Sequence, residues 1–121
     1  MKRIWNWLVT LFSVNGEESV AYILVTIPSL EKTMPILQEL IGRKLIACAS
    51  FFPVTSVFSW EGKICEQKEV KILLKSRISL FKNVSDVIHL MSPYEVTEIS
   101  LIKAERVDEP YFNWIMKTTH S

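Results

Sequence analysis

Val20-Ala21-Tyr22-Ile23-Leu24-Val25-Thr26-Ile27 is a continuous apolar run rich in β-branched residues. That pattern suits a central strand buried on both faces. Pro28 and Ser29 end it. From Leu30 to Leu40 the apolar residues Met34, Leu37, Leu40 and Ile41 recur at helical spacing. Pro35 leaves two readings open: a cap at Thr33 with Pro35 in the first turn, or an earlier start at Ser29 with a kink. Gly42, Arg43 and Lys44 supply its end.

Leu45 to Trp60 reads as a long strand with a break or bulge at Pro53. Glu61-Gly62 is a turn, with Gly62 the natural site for positive φ. Lys63 to Ser76 returns as a second strand, so the two runs form a long hairpin. Ser79 to Met91 is a helix whose stripe is Leu80, Val84, Val87, Ile88 and Met91. Ser92-Pro93 stops it. Val96 to Ala104 is a further strand. Asp108-Glu109-Pro110 starts a last helix, from about Tyr111 to Lys117, with a capping carboxylate and a first-turn proline. The order is strand, helix, strand, strand, helix, strand, short helix. It predicts an α+β fold, the ferredoxin-like βαββαβ sandwich with an extra C-terminal helix, its first and third strands central.

The 121 residues make one domain, read as 20–121, preceded by an extension at 1–19. A two-domain enzyme is excluded. Lys plus Arg is 14 against 13 for Asp plus Glu, so the basic face of a general nucleic-acid binder is not expected. The third strand carries no aromatics to stack on bases, which removes an RNA-recognition reading of the same element order. No G-x-S-x-G, P-loop or G-x-G-x-x-G motif is present, so no enzyme activity is expected. Six Phe, four Trp and three Tyr suggest more apolar surface than one small core hides, which points to an oligomer; a well-filled monomer core is the other reading, and composition alone does not choose between them. Lys2 and Arg3 precede an apolar run from Ile4 to Val14 that is too short for a membrane span. No small-residue cleavage site follows, so the segment reads as a retained extension of a cytoplasmic protein. Secretion to the periplasm is the alternative.

Several motifs now carry a name. Ser56-Val57-Phe58-Ser59-Trp60-Glu61-Gly62-Lys63-Ile64 resembles the S-x-Y/F-x-W-x-G-K-I/V/L hairpin of the CutA family of divalent-cation tolerance proteins. Leu45-Ile46-Ala47-Cys48-Ala49 is similar to its L-A-A-C-V segment. Glu69 followed by Lys75-Ser76 resembles E-x5-K-T. Pro93-Tyr94-Glu95-Val96-Thr97-Glu98-Ile99 resembles P-Y-E-V-P-E-I, and Tyr111-Phe112-Asn113-Trp114-Ile115 the closing Y-L-x-W-I/L. The resemblance spans about Val20 to Met116.

It implies a tight homotrimer with hairpins reaching around neighbours, and a role in tolerance of copper or another divalent metal. The family's architecture is shared with PII-like signalling proteins, so a trimeric interaction scaffold without a metal site is the alternative. The positions implied as copper ligands are here Val25, Met91 and Ser92, of which only Met91 offers a soft donor. Cys48 is the remaining candidate metal thiol; its other reading is a buried core residue. Ser56, Trp60, Glu69, Lys75, Tyr94, Glu95 and Trp114 are expected at a cleft or at the trimer interface. Glu69 and Lys75 have a second reading as an ion pair that fixes register between subunits.

Overall fold

A computed structural model describes residues 18–120; the expected extension falls, but for its last two residues, outside them. Four strands form one antiparallel sheet: β1 (Val20–Ile27), β2 (Cys48–Trp60), β3 (Lys63–Arg77) and β4 (Ile99–Lys103), in the order β2-β3-β1-β4. The first and third strands are central, in keeping with the solid apolar run of β1. Helices α1 (Leu30–Gly42) and α2 (Phe81–Met91) cross between strands, and α3 (Glu109–Thr118) follows β4. This is the expected ferredoxin-like α+β order.

The alternation of β1 sets the two faces of the sheet. Ala21, Ile23, Val25 and Ile27 are fully buried and lie opposite Ser76, Leu74, Ile72 and Val70 of β3. Ile36, Leu37 and Leu40 of α1 and Val84, Val87 and Ile88 of α2 complete this core. The other face carries Tyr22, Leu24 and Thr26 beside Lys75, Leu73 and Lys71. Both helices pack on the first face.

Helix α1 resolves the Pro35 ambiguity in favour of Ser29. The Ser29 side chain accepts from the Lys32 N–H at 3.2 Å, and its carbonyl from Thr33 N–H at 3.1 Å. Pro35 therefore lies inside the helix. Its missing N–H forgoes only a bond to the carbonyl of Glu31, an exposed first-turn residue that water can solvate. The left-handed residue at the helix end is Lys44 (φ 60), not Gly42. Leu45 N–H reaches back to the Leu40 carbonyl at 3.0 Å, closing the end as a Schellman-type turn.

Five further expectations shift. Pro53 causes no bulge: register runs without a slip from Cys48↔Lys75 to Trp60↔Lys63. β2 pairs on one side only, and an edge strand accommodates a proline whose nitrogen faces outward. β2 begins at Cys48 rather than Leu45. The second helix begins with a 3₁₀ turn at Ile78–Leu80, and β4 begins at Ile99 because residues 92–98 form a loop. Asp108 occupies the cap position of α3 but makes no side-chain capping bond.

The hairpin turn has φ 49 at Glu61 and 79 at Gly62, the two positive values of a type I′ turn. Gly62→Ala places a Cβ in the left-handed region. It is expected to cost about 1 kcal/mol, read from the midpoint of chemical unfolding.

Candidate functional site

The open face of the sheet ends in a cleft of about 630 Å³ between the hairpin and the loop 92–98. The spacing of two along β3 brings Cys65, Gln67, Glu69 and Lys71 to one side, and β2 adds Ser56, Phe58 and Trp60 in register. Thr26 closes one end of the floor. The loop supplies Tyr94 to Glu98 as the wall.

That wall is held by its own polar groups. Ser92 Oγ lies 2.7 Å from Thr97 Oγ1 and accepts the Tyr94 N–H at 3.2 Å. The Tyr94 hydroxyl accepts from Gln67 Nε2 at 3.1 Å and donates to the Glu69 carboxylate. Burial, and the carboxylate to which it donates, hold the Tyr94 phenol far above its ordinary range. It therefore stays a donor at any physiological pH. Glu69 is only 9% exposed. Three carboxylates (Glu69, Glu95, Glu98) face the cleft against one ammonium, Lys71. Aromatic walls and excess negative charge suit a cation or a ligand with a cationic group.

Lys71 pairs with Glu98, which also accepts from Thr26 Oγ1 at 2.6 Å. The Lys71 ammonium first, and the Thr26 hydroxyl second, hold the Glu98 carboxyl below its usual range. A depressed carboxylate stabilises the fold above its unfolded pKa, and that support fades as pH falls through the folded value. Glu98→Gln is expected to lower stability at pH 7 by at most about 1 kcal/mol, because the pair is partly exposed. The difference from the unmodified protein should shrink as pH falls below the ordinary glutamate range and disappear only once the depressed folded carboxyl is itself protonated; a series of unfolding curves from pH 7 downwards measures it.

Ser56, Trp60, Glu69, Tyr94 and Glu95 thus line one cleft. Lys75, Cys48 and Trp114 do not. Glu69 and Lys75 do not meet within one chain, being six residues apart on the same strand, roughly 20 Å. Lys75 Nζ lies 3.0 Å from Ser50 Oγ and 3.7 Å from Cys48 Sγ. Tyr111 stands within electrostatic reach of the same cluster, and burial chiefly pushes its phenol up. Its ring stacks on Trp114 at 5.7 Å.

Cys48 and Cys65 are both free and half-buried, so neither is the fully buried core thiol that composition favours. Val25 is fully buried in the core and supplies no donor. Met91 packs against that core, and Ser92 is engaged by Thr97 and Tyr94. This trio does not fit a copper ion. Among the described residues no three His, Cys, Asp or Glu converge as metal ligands. Gln67, Lys71, Thr26 and Glu98 are cleft residues that sequence reasoning missed. Thr97 pins the wall through its bond to Ser92.

Residues 21–118 match the family described as CutA1 divalent ion tolerance protein. Protein CutA of Homo sapiens is 33% identical over 89% of this chain, which spans 60% of that relative's length. The divalent-cation tolerance protein CutA of Archaeoglobus fulgidus is 37% identical, covering 80% of this chain and 95% of the relative. The solved structure of the periplasmic divalent cation tolerance protein CutA from the same organism superposes with a TM-score of 0.81 at 36% identity. It covers 82% of this chain and 97% of that one. The superposition shows a shared fold, and the chain belongs to the CutA1 divalent ion tolerance family.

Proposed function

We propose that this chain is the subunit of a homotrimer that takes part in tolerance of, and response to, divalent metal ions, and that it works by binding at its cleft rather than by catalysis. The observation that carries the reading is the acidic, aromatic-walled cleft with Glu69 deep in it. The family and the names of its relatives supply the metal. Assembly is supported by the uncovered sheet face, which exposes Phe52 (50%), Trp60 (43%) and Ile102 (55%). A sheet whose crossover helices cover one face, with α3 meeting the other only at the end near Lys75 and Arg77, leaves much of that second face for another partner. The outer edge of β2 is a 13-residue row of pairing groups that a neighbour would cover.

Copper at Val25, Met91 and Ser92 is not part of this reading, for want of donors. Cys48 is a poorer cation site than the cleft, since the Lys75 ammonium already lies against its sulfur. The cleft offers carboxylates with the Cys65 sulfur nearby, and donors from neighbouring copies add to that set. A cytoplasmic setting, where free Cys48 and Cys65 stay reduced, belongs to the proposal. Among the described residues no helix is long and apolar enough to cross a membrane.

Calorimetric titration of chelator-stripped protein with Zn(II) and Cu(II) tests it. Saturable uptake that Glu69→Gln weakens at least about tenfold is expected, the loss of one charged contact. A trimer that takes up neither ion contradicts the metal reading and leaves the scaffold in its place.

A further inference from the structure

Helix α1 carries an apolar row beside the one it buries. Leu30, Met34, Leu37 and Ile41 recur at spacings of four, three and four, the seam of one helix against another. Leu37 reaches the core, yet Leu30 stays 53% exposed and Ile41 50%, with Met34 exposed between them. The opposite flank is polar and carries Lys32 and Glu39. Three large apolar side chains left open along one helix flank mark a contact site.

The chain enters the fold at one end of this row. Glu18 is held by Arg77 at 2.7 Å and by Ser79 at 3.4 Å. Arg77 also binds the Thr119 carbonyl at 2.7 Å, and the next residue, His120, donates its N–H to the Lys44 carbonyl at 3.1 Å. Lys44 lies just past Gly42, so residues 1–17 join the domain at the Gly42 end of α1. From Gly42 to Leu30 is about 18 Å at the helical rise, and residues 1–17 reach about 25 Å at the same rise, enough for the whole row. At helical spacing Ile4, Trp5, Leu8, Leu11 and Phe12 share one side of that segment, and Lys2, Arg3, Asn6, Thr10 and Ser13 the other. Laid along the row, the basic pair falls near Glu31 in the first turn of α1, which belongs to no ion pair among the described residues. Residues 1–17 also precede the stretch that matches the family.

We propose that residues 1–17 seat their apolar side on the row formed by Leu30, Met34 and Ile41 of α1 in the same subunit. Attachment at Glu18 holds the segment beside the row at an effective concentration of roughly millimolar, so a weak contact suffices. A lipid surface is the competing occupant for an apolar segment with Trp5 and Trp7. Clusters that bind anionic membranes carry about four to eight basic residues. Here Lys2 and Arg3 stand alone at the start, and Glu17 and Glu18 follow. Helix α1 packs on the face of the sheet away from the cleft, so this contact is independent of assembly through the open face.

Maleimide labelling of the 121-residue chain in a Cys48→Ser/Cys65→Ser background tests the contact. Met34→Cys should label at least about tenfold faster once Leu8→Glu and Leu11→Glu are added, the factor for a contact made about nine-tenths of the time. Lys32→Cys, on the far side of α1, should label at one rate with or without them. Equal rates at Met34→Cys overturn the contact, and so does an equal rise at both positions, which marks general loosening of the helix. Equal rates together with co-sedimentation on phosphatidylserine vesicles give the segment to a lipid surface instead. Leu8→Cys/Met34→Cys in the same background, treated with a short bis-maleimide, identifies the owner of the segment. Bridged single chains on a denaturing gel support the proposal. Covalent dimers assign the row to the segment of a neighbouring copy and overturn it.

Discussion

Arg77→Ala is expected to destabilise the fold by about 2–3 kcal/mol, because it removes a largely buried guanidinium and leaves two carbonyls at the end of α3 without their donor. Arg77 sits at the end of β3 with its side chain 16% exposed. Its guanidinium donates to Glu18 Oε2 at 2.7 Å, to Thr119 Oγ1 at 3.0 Å, to the Thr119 carbonyl at 2.7 Å and to the Met116 carbonyl. One planar fork therefore ties the entry to β1 and the end of β3 to the C-terminus of α3. Positive charge also suits that end of a helix dipole. Without it, carbonyls of the last turn lose their donor in a half-buried place. Arg77→Lys keeps the charge but not the fork, so its loss should be intermediate. Hydrogen exchange should quicken first in Glu109–Thr118. A change below about 1 kcal/mol, the worth of an exposed pair, would contradict this account.

Trp60→Ala should act on assembly and spare the subunit. Trp60 closes β2 at the tip of the hairpin, remote from the core, with 43% of its surface exposed. A tryptophan at the centre of an interface is worth about 2 kcal/mol, which is roughly thirtyfold in a dissociation constant. Dilution followed by ultracentrifugation should therefore show monomer at correspondingly higher concentration. A variant that remains trimeric at nanomolar concentration places Trp60 outside the interface.

The features legible from sequence were those set by local pattern. The unbroken apolar run of β1 announced a strand between two others, and Glu61-Gly62 announced the hairpin. Pro53 misled because a proline interrupts a strand only where both edges are paired, and pairing on one side is a tertiary fact. Val96 to Ala104 reads as a single strand rich in β-branched residues, yet its first three residues are drawn into the loop by the Ser92–Thr97 bond and by the Tyr94 anchor on Glu69. That loop is one wall of the cleft, so the error in β4 hid part of the site. Gln67 and Lys71 flank Glu69 at a spacing of two, and the strand period alone would have found them. Thr26 and Glu98 needed the register between β1 and its neighbours, which no local pattern carries. The same strand geometry shows why Glu69 and Lys75 do not pair within one chain.

Assembly through the open sheet face is the central claim, and the mass of the natural chain under native conditions tests it most directly. Native mass spectrometry of chelator-stripped protein should give three times the chain mass of 14.0 kDa at micromolar concentration. A species at 14.0 kDa alone would leave the exposed aromatics of that face uncovered and contradict the account.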